Sequence, residues 1–325
     1  FGPRLPKLSL LALHDCRFIP VEAGNPWVVI GRVAGFDTAV FGLPKEAHPI
    51  LFEVPDRQLL VATTKLSDFI TARYAPSDHW TAIWETILNH LSGSDTIRIK
   101  WSPIVAPAYS ATERLPRNFE RRALSAAANW IHKSRLLVPA ARTNEIHTAL
   151  AQNGEASPLP PASMPNGDGT HGILEGYASG VQPNGDQLQR LPLRADCNLE
   201  SAAVLAFDYL LGKNRQSRRV AENLVDFVYF KSGMCAGQRA DPSHGSYGLI
   251  AWGDISPAWL IGNYGDDNAR SILATITAAA ALGEDRWDDV VARALLANFR
   301  VTGKLGFQGD RINNPALDNG WEPFF

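Results

Sequence analysis

Residues Asn263 to Gly283 read NYGDDNARSILATITAAAALG, and the contrast between the two ends of this stretch decides the fold. Polar side chains crowd its start, whereas Ile272, Leu273, Ile276, Ala278, Ala279, Ala280, Ala281 and Leu282 are apolar nearly all the way round. A helix lying on a surface shows one apolar stripe; one that is apolar on every side is enclosed by other helices. Its limits are marked by Asp266 or Asp267, either of which can accept from the free N–H groups of a first turn, and by Gly283, which suits the left-handed residue after a last turn. The stretch reads as a buried helix with a chemically equipped mouth.

The same plan occurs once before. Setting Asp196 against Asp267 brings Asn198 approximately onto Asn268 and Gly212 onto Gly283, so that DCNLESAAVLAFDYLLG lies beside DNARSILATITAAAALG. A second helix follows each, Arg215 to Lys231 and Asp285 to Thr302, with charged and apolar residues alternating at helical spacing, as expected of outer helices laid over inner ones. The period is about 70 residues, and recurrence of a helix pair points to a toroid of helical hairpins. Two unrelated helix pairs in an all-α domain are the plainer alternative. Only one leading helix and two hairpins are present, so the toroid is expected to be partial, with Ile272, Leu273 and Ile276 open on one side. Such a surface is normally covered by more chain or by self-association.

Residues 1 to 102 follow other rules. Trp27 to Ile30, Ala39 to Phe41, Ile50 to Val54 and Leu59 to Ala62 are short β-prone runs between Gly, Pro and Asp. His79 to Leu91 then places Trp80, Ile83, Trp84, Ile87 and Leu91 on one helical face. This is an α/β module. A linker spans 103–118, and a helical domain spans 119–325, opening with a helix over Glu120 to Lys133 whose apolar stripe is Leu124, Ala127, Ala128 and Ile131. Between Gly154 and Arg194 the chain turns to Pro, Gly, Asn and Asp without apolar periodicity, and long loops of this kind inside a domain usually serve a site. His171, Glu175, Tyr177, Arg194 and Asp196 crowd its end.

The chain has 325 residues, 45% hydrophobic and 20% charged, enough for a sizeable core and more than one domain. A formal charge of −2 with no dense Lys/Arg run argues against nucleic acid or an anionic membrane as partner. No apolar run is long enough to span a bilayer. Phe1 in place of Met indicates a processed or truncated start, and a periplasmic or extracellular location is the expectation. The cysteines, Cys16, Cys197 and Cys235, form no CxxC spacing, so no metal site is expected and nothing calls for a cofactor. Cys197 and Cys235 fall at one end of a hairpin and can be read as a bridge or as two buried thiols.

DGTHGILEGY, RADCNLES and NYGDDNAR together resemble the bacterial six-hairpin glycosidases, over about residues 119 to 325. That resemblance implies an (α/α)6 toroid, a carbohydrate substrate and glycoside hydrolysis. ILFEVPDRQLLVATTKLSDF followed by RYAPSDHWTAIWETILNHL resembles the closing hairpin and last helix of glutamine-amidotransferase-like and trehalose-utilisation-like modules, over about 26 to 92. No nucleophile elbow with a reactive Cys accompanies it, so that chemistry is not carried over, and His14 and Asp15 read as ordinary loop residues.

Glycoside hydrolysis needs one protonated and one ionised carboxyl group. Glu175, Asp196 and Asp267 are the catalytic candidates. A carboxylate at a helix start is favoured ionised, which suits Asp267 as base; Glu175 in the apolar GILEGY context suits the acid, and Asp196 can replace either. His171, Tyr177, Arg194, His244, Tyr247, Trp252, Tyr264 and Arg270 are the substrate-binding candidates. The rivals are a polysaccharide lyase built on Tyr247, His244, Arg194 and Asn263, and a non-catalytic carbohydrate-binding protein.

Overall fold

The computed structural model describes residues 17–22, 28–33, 47–55, 59–66, 77–100, 112–152, 154–182, 184–254, 257–304, 306 and 311–324. The chain divides into two compact units, Phe1–Glu113 with Ser179–Asp186, and Arg114–Ala178 with Gln187–Phe325.

In the first unit β1 (Val28–Val33), β2 (His48–Val54) and β3 (Leu59–Ala62) form an antiparallel sheet in that order, and α1 (Ser77–Ser92) follows. Leu51 and Leu66 pack with Trp80 and Ile87 of α1, and Trp84 Nε1 donates to the Leu66 carbonyl at 3.0 Å. The helical face predicted from the sequence is therefore the buried one except at its end, where Leu91 is 66% exposed. The strand expected at Ala39 to Phe41, with His14, Asp15, Cys16 and most of the linker, lies outside the described residues.

The second unit is helical. It contains α2 (Phe119–Lys133), α3 (Thr143–Ala151), α4 (Ala195–Gly212), α5 (Arg215–Asp226), the short α6 (Pro257–Leu260), α7 (Gly265–Leu282) and α8 (Asp288–Arg300). A π-helical turn, Phe227–Lys231, extends α5 to the end predicted for it. Two-residue strands tie the loops together: β4 (Ala156–Ser157), β5 (Gly176–Tyr177) and β6 (Gln189–Arg190) in one ribbon, β7 (Leu193–Arg194) with β8 (Gly253–Asp254), and β9 (Gly262–Asn263) with β10 (Ile312–Asn313).

The two central helices, α4 and α7, lie side by side and run parallel. Arg194 touches the first turns of both through Asp196 and Asp267. At the other end Arg218 donates to Tyr209 of α4 and to Glu284, just past α7. Their shared core is built from Leu199, Ala202, Leu205 and Ala206 of α4 with Ile272, Ala274 and Ala278 of α7, small residues letting the backbones approach. Outside them α5 contributes Val220, Ala221, Leu224 and Val225, and Trp287 beside α8 is fully buried, its Nε1 donating to Asp226 at 2.9 Å. A polar clasp adds α2: His132 Nε2 and Ser217 Oγ are 2.8 Å apart, and that hydroxyl donates to Asp208 at 2.6 Å.

The internal repeat exists, but its register differs by one residue from the one read in the sequence. Asn198 Oδ1 accepts from the Ile173 amide at 2.9 Å, while its Nδ2 donates to the Ile173 and Arg194 carbonyls. Asn268 repeats this with Ile250 and Tyr264. Pairing Asn198 with Asn268 pairs Lys213 with Gly283, and both are left-handed, at φ 56° and 68°. Asp196 thus corresponds to Asp266, and Asp267 to Cys197. Matching carboxylates pulled the sequence reading one position out, because Gly212 is the last helical residue and Lys213 takes the strained conformation usually left to glycine.

Neither Asp266 nor Asp267 caps α7; the N-cap is Tyr264 and no side-chain cap bond forms, and the same holds for Arg194 at α4. The bridge considered between Cys197 and Cys235 is absent, both thiols being free. Of the three residues expected to be open, Leu273 and Ile276 are exposed at 65% and 49%, whereas Ile272 is turned into the core at 3%.

Candidate functional site

Arg194 is the last residue of β7, and its side chain stands where the mouths of α4 and α7 meet. Its Nη2 donates to Asp196 Oδ2 at 2.9 Å and to Asp267 Oδ1 at 2.6 Å, and its Nη1 lies 3.6 Å from Glu175 Oε1. One guanidinium therefore gathers carboxylates from three separate segments: the loop before β5, the start of α4 and the start of α7. The helix starts converge because α4 and α7 are parallel. Asp196 and Asp267 occupy successive, not equivalent, positions of their first turns, which lets both side chains approach one nitrogen.

Further arginines surround the cluster. Arg270, one turn into α7, contacts Asp196 Oδ2 at 3.0 Å and forks onto Glu200 of α4 at 2.9 and 2.8 Å. Arg190 donates to Glu175 at 2.8 Å and reaches Glu155 at 3.4 Å. Asp196 is enclosed, its side chain only 1% exposed, and its Oδ1 accepts from the Cys197 amide at 2.8 Å. Glu175 is the more open, at 20%.

Burial pushes Asp267 up to about 6; the hydrogen bond from Arg194 opposes this and the neighbouring Asp196 charge adds to it. Burial works against the Arg194 charge, yet the bond to Asp267 and the field of Asp196 hold it above its ordinary range. Burial, reinforced by Asp196, drives the Cys197 thiol up to about 12, far from the thiolate a nucleophile needs. These surroundings differ from those read in the sequence. Asp267, expected to be favoured ionised by its helix start, is instead shifted upward, because desolvation outweighs the hydrogen bond from Arg194. Glu175, placed in an apolar setting by GILEGY, meets two arginines 15 and 19 residues further along the chain.

An aromatic cluster adjoins the carboxylates. Trp252 stacks on Trp259 with ring centroids 3.8 Å apart, Tyr264 makes a T-shaped contact with it at 5.1 Å, and the Arg194 guanidinium lies 5.7 Å from the Trp252 centroid. Arg311 covers Tyr264. Neither Arg190 nor Trp259 was among the sequence candidates. For Arg190 no local signal exists, since only the β5–β6 pairing opposite Gly176 brings it to Glu175.

Four candidates lie away from the cluster. Tyr177 donates its hydroxyl to the Ser134 carbonyl. His244 lies between Ser246 and Asp318, at 2.8 and 3.0 Å. Tyr247 carries Arg293 over its ring at 5.0 Å. His171 faces a different cavity, with Leu193 and Asp254. Asn263 is fully buried and committed to Arg239, the Ile312 carbonyl and Asn314. Among the described residues no group of three His, Cys, Asp or Glu side chains is arranged to hold a metal ion, and no helix is long and apolar enough to cross a membrane. No protein-family model, curated protein or solved structure matches the chain.

Proposed function

We propose that the helical unit is a glycoside hydrolase acting on a poly- or oligosaccharide, with α4 and α7 as adjacent inner helices of an (α/α)-toroid-like array. The reading draws on the resemblance of DGTHGILEGY, RADCNLES and NYGDDNAR to six-hairpin glycosidases. The observation that carries it is the gathering of Glu175, Asp196 and Asp267 around Arg194 beside the Trp252 face. Such hydrolysis needs two carboxyls whose environments push their protonation apart. Asp267, held up to about 6 by burial, is the general acid that protonates the leaving oxygen. Glu175, more open and paired with Arg190 and Arg194, is the partner placed to activate water or attack the anomeric carbon. Asp196 is committed to Arg194, Arg270 and the Cys197 amide, and acts by raising Asp267 and orienting Arg194. The Trp252, Trp259 and Tyr264 rings supply apolar surface beside the carboxylates for a sugar.

A reducing-sugar assay over a panel of plant and bacterial polysaccharides tests the reading. Turnover should fall at least about a hundredfold in both Glu175→Gln and Asp267→Asn, the usual worth of a positioned acid or base. Activity should decline as pH rises through about 6, where Asp267 loses its proton. Ligand binding without turnover, unchanged in both variants, would instead identify a carbohydrate-binding protein. The lyase alternative has no comparable support, because His244, Tyr247 and Asn263 are engaged elsewhere.

A further inference from the structure

A cavity of about 120 Å³ lies within the helical unit, away from the Arg194 cluster. Leu193 lines it, and in an extended strand the next residue, Arg194, points to the opposite face. The β7–β8 ribbon therefore stands between the two places, with Asp254, the partner of Leu193, on the cavity side.

The polar groups around this cavity come from four segments. Thr143 and His147 are four residues apart on α3 and share one face. His171 sits in a tight turn between Gly169 and Gly172, both at positive φ. Lys231 ends the π-helical turn, a distortion frequent at functional sites. Asp254 accepts from the Gly233 amide through Oδ2 at 3.2 Å.

Their hydrogen-bonding capacity is largely unspent. Thr143 Oγ1 is buried without a partner. Among the described residues the side chains of His147, His171 and Lys231 make no hydrogen bond or ion pair. The floor is apolar, from Val138, Ile146, Leu193 and Phe227. Gly172 is required here: at φ 80° a side chain is strained, and a Cβ would come within 2.6 Å of the Phe227 ring that forms this floor.

An apolar hollow with a few convergent polar groups is the usual form of a small-molecule site. We propose that this cavity binds a small hydroxy-carboxylate, separately from the hydrolytic site. The space has room for several waters, enough for a short carbon skeleton. One ammonium, Lys231, and one carboxylate, Asp254, face the space with two imidazoles and a hydroxyl that can each donate or accept. Lys231 and His147, exposed at the rim, hold the ligand carboxylate; the deeper Asp254 accepts from a ligand hydroxyl and Thr143 completes the set. The carbon chain rests on Leu193 and Phe227. With no three-ligand metal geometry present among the described residues, the histidines serve as hydrogen-bonding groups.

Calorimetric titration of the full chain with glycerate, glycerol and propionate tests the assignment. Glycerate should bind saturably, and glycerol and propionate, which lack the carboxylate and the hydroxyls respectively, at least about tenfold more weakly, because each forgoes charge-assisted hydrogen bonds. Lys231→Met and His147→Gln alter exposed side chains, so each should melt like the parent while weakening glycerate about tenfold. Absence of saturable glycerate binding, equal binding of glycerol or propionate, or unchanged affinity in both variants would overturn it.

Discussion

Arg194 carries more of the site than any carboxylate around it. Removing one member of a buried ion cluster leaves charges uncompensated, at a cost of about 3–5 kcal/mol. Arg194→Met should destabilise the helical unit by that order in urea unfolding, whereas Arg219→Met, which breaks an exposed pair with Asp168, should change it by less than about 1 kcal/mol. Asp267 gives a second signature. Its folded value, about 6, lies above the ordinary carboxyl value, so its protonated form stabilises the fold. That contribution is complete below about pH 4 and is lost as pH rises to about 6. Asp267→Asn should therefore flatten the melting temperature across this window, and an undiminished fall with rising pH would place the effect elsewhere. The residue types of the site were legible: Glu175, Asp196, Asp267, Arg194 and Arg270 do meet. The upward shift of Asp267 was not, because its burial is set by contacts between segments far apart in sequence.

At the scale of elements, the buried helix over 265–282 and its copy over 195–212 were readable from apolar content and from the change of composition at their ends. Register was not, since the alignment was anchored on acidic residues and the structure anchors it on Asn198 and Asn268. Each asparagine pins both backbone groups of one isoleucine in the loop leading to its helix, Ile173 or Ile250. Asn198→Ala and Asn268→Ala should each cost about 2–4 kcal/mol in equilibrium unfolding, because buried N–H and C=O groups lose their partners. Equal, small effects would mean that water replaces the amides. The helix α3 went unread: nine residues with only Ile146 and Leu150 fully buried give too short a periodic signal to separate from the loop beyond.

For the whole molecule, the sheet-bearing and helical units part between Glu113 and Arg114, well beyond residue 79 where the apolar period turns helical, because α1 stays with the sheet-bearing unit. Residues 179–186 belong with the first unit, which no linear reading of the chain would assign. Exposed Phe207, Leu210 and Leu211 of α4, Leu273 and Ile276 of α7, and Leu296 and Phe299 of α8 show how far enclosure of the inner helices goes within the described residues. The ties at both ends of the α4–α7 pair have a mechanical consequence. Arg194 joins the helices at their starts and Arg218 joins Tyr209 to Glu284 at their ends, so the pair behaves as two rails bolted twice. Sliding one rail by a turn, about 5.4 Å, breaks both ties together, whereas a hinge about one end breaks only the other. Opening of the carboxylate cluster should therefore proceed by splaying. In Arg218→Ala, amide exchange should quicken in the last turns of α4 and α7 and stay slow at Ile173 and Ile250; uniform quickening along both helices would mean that they slip lengthwise instead.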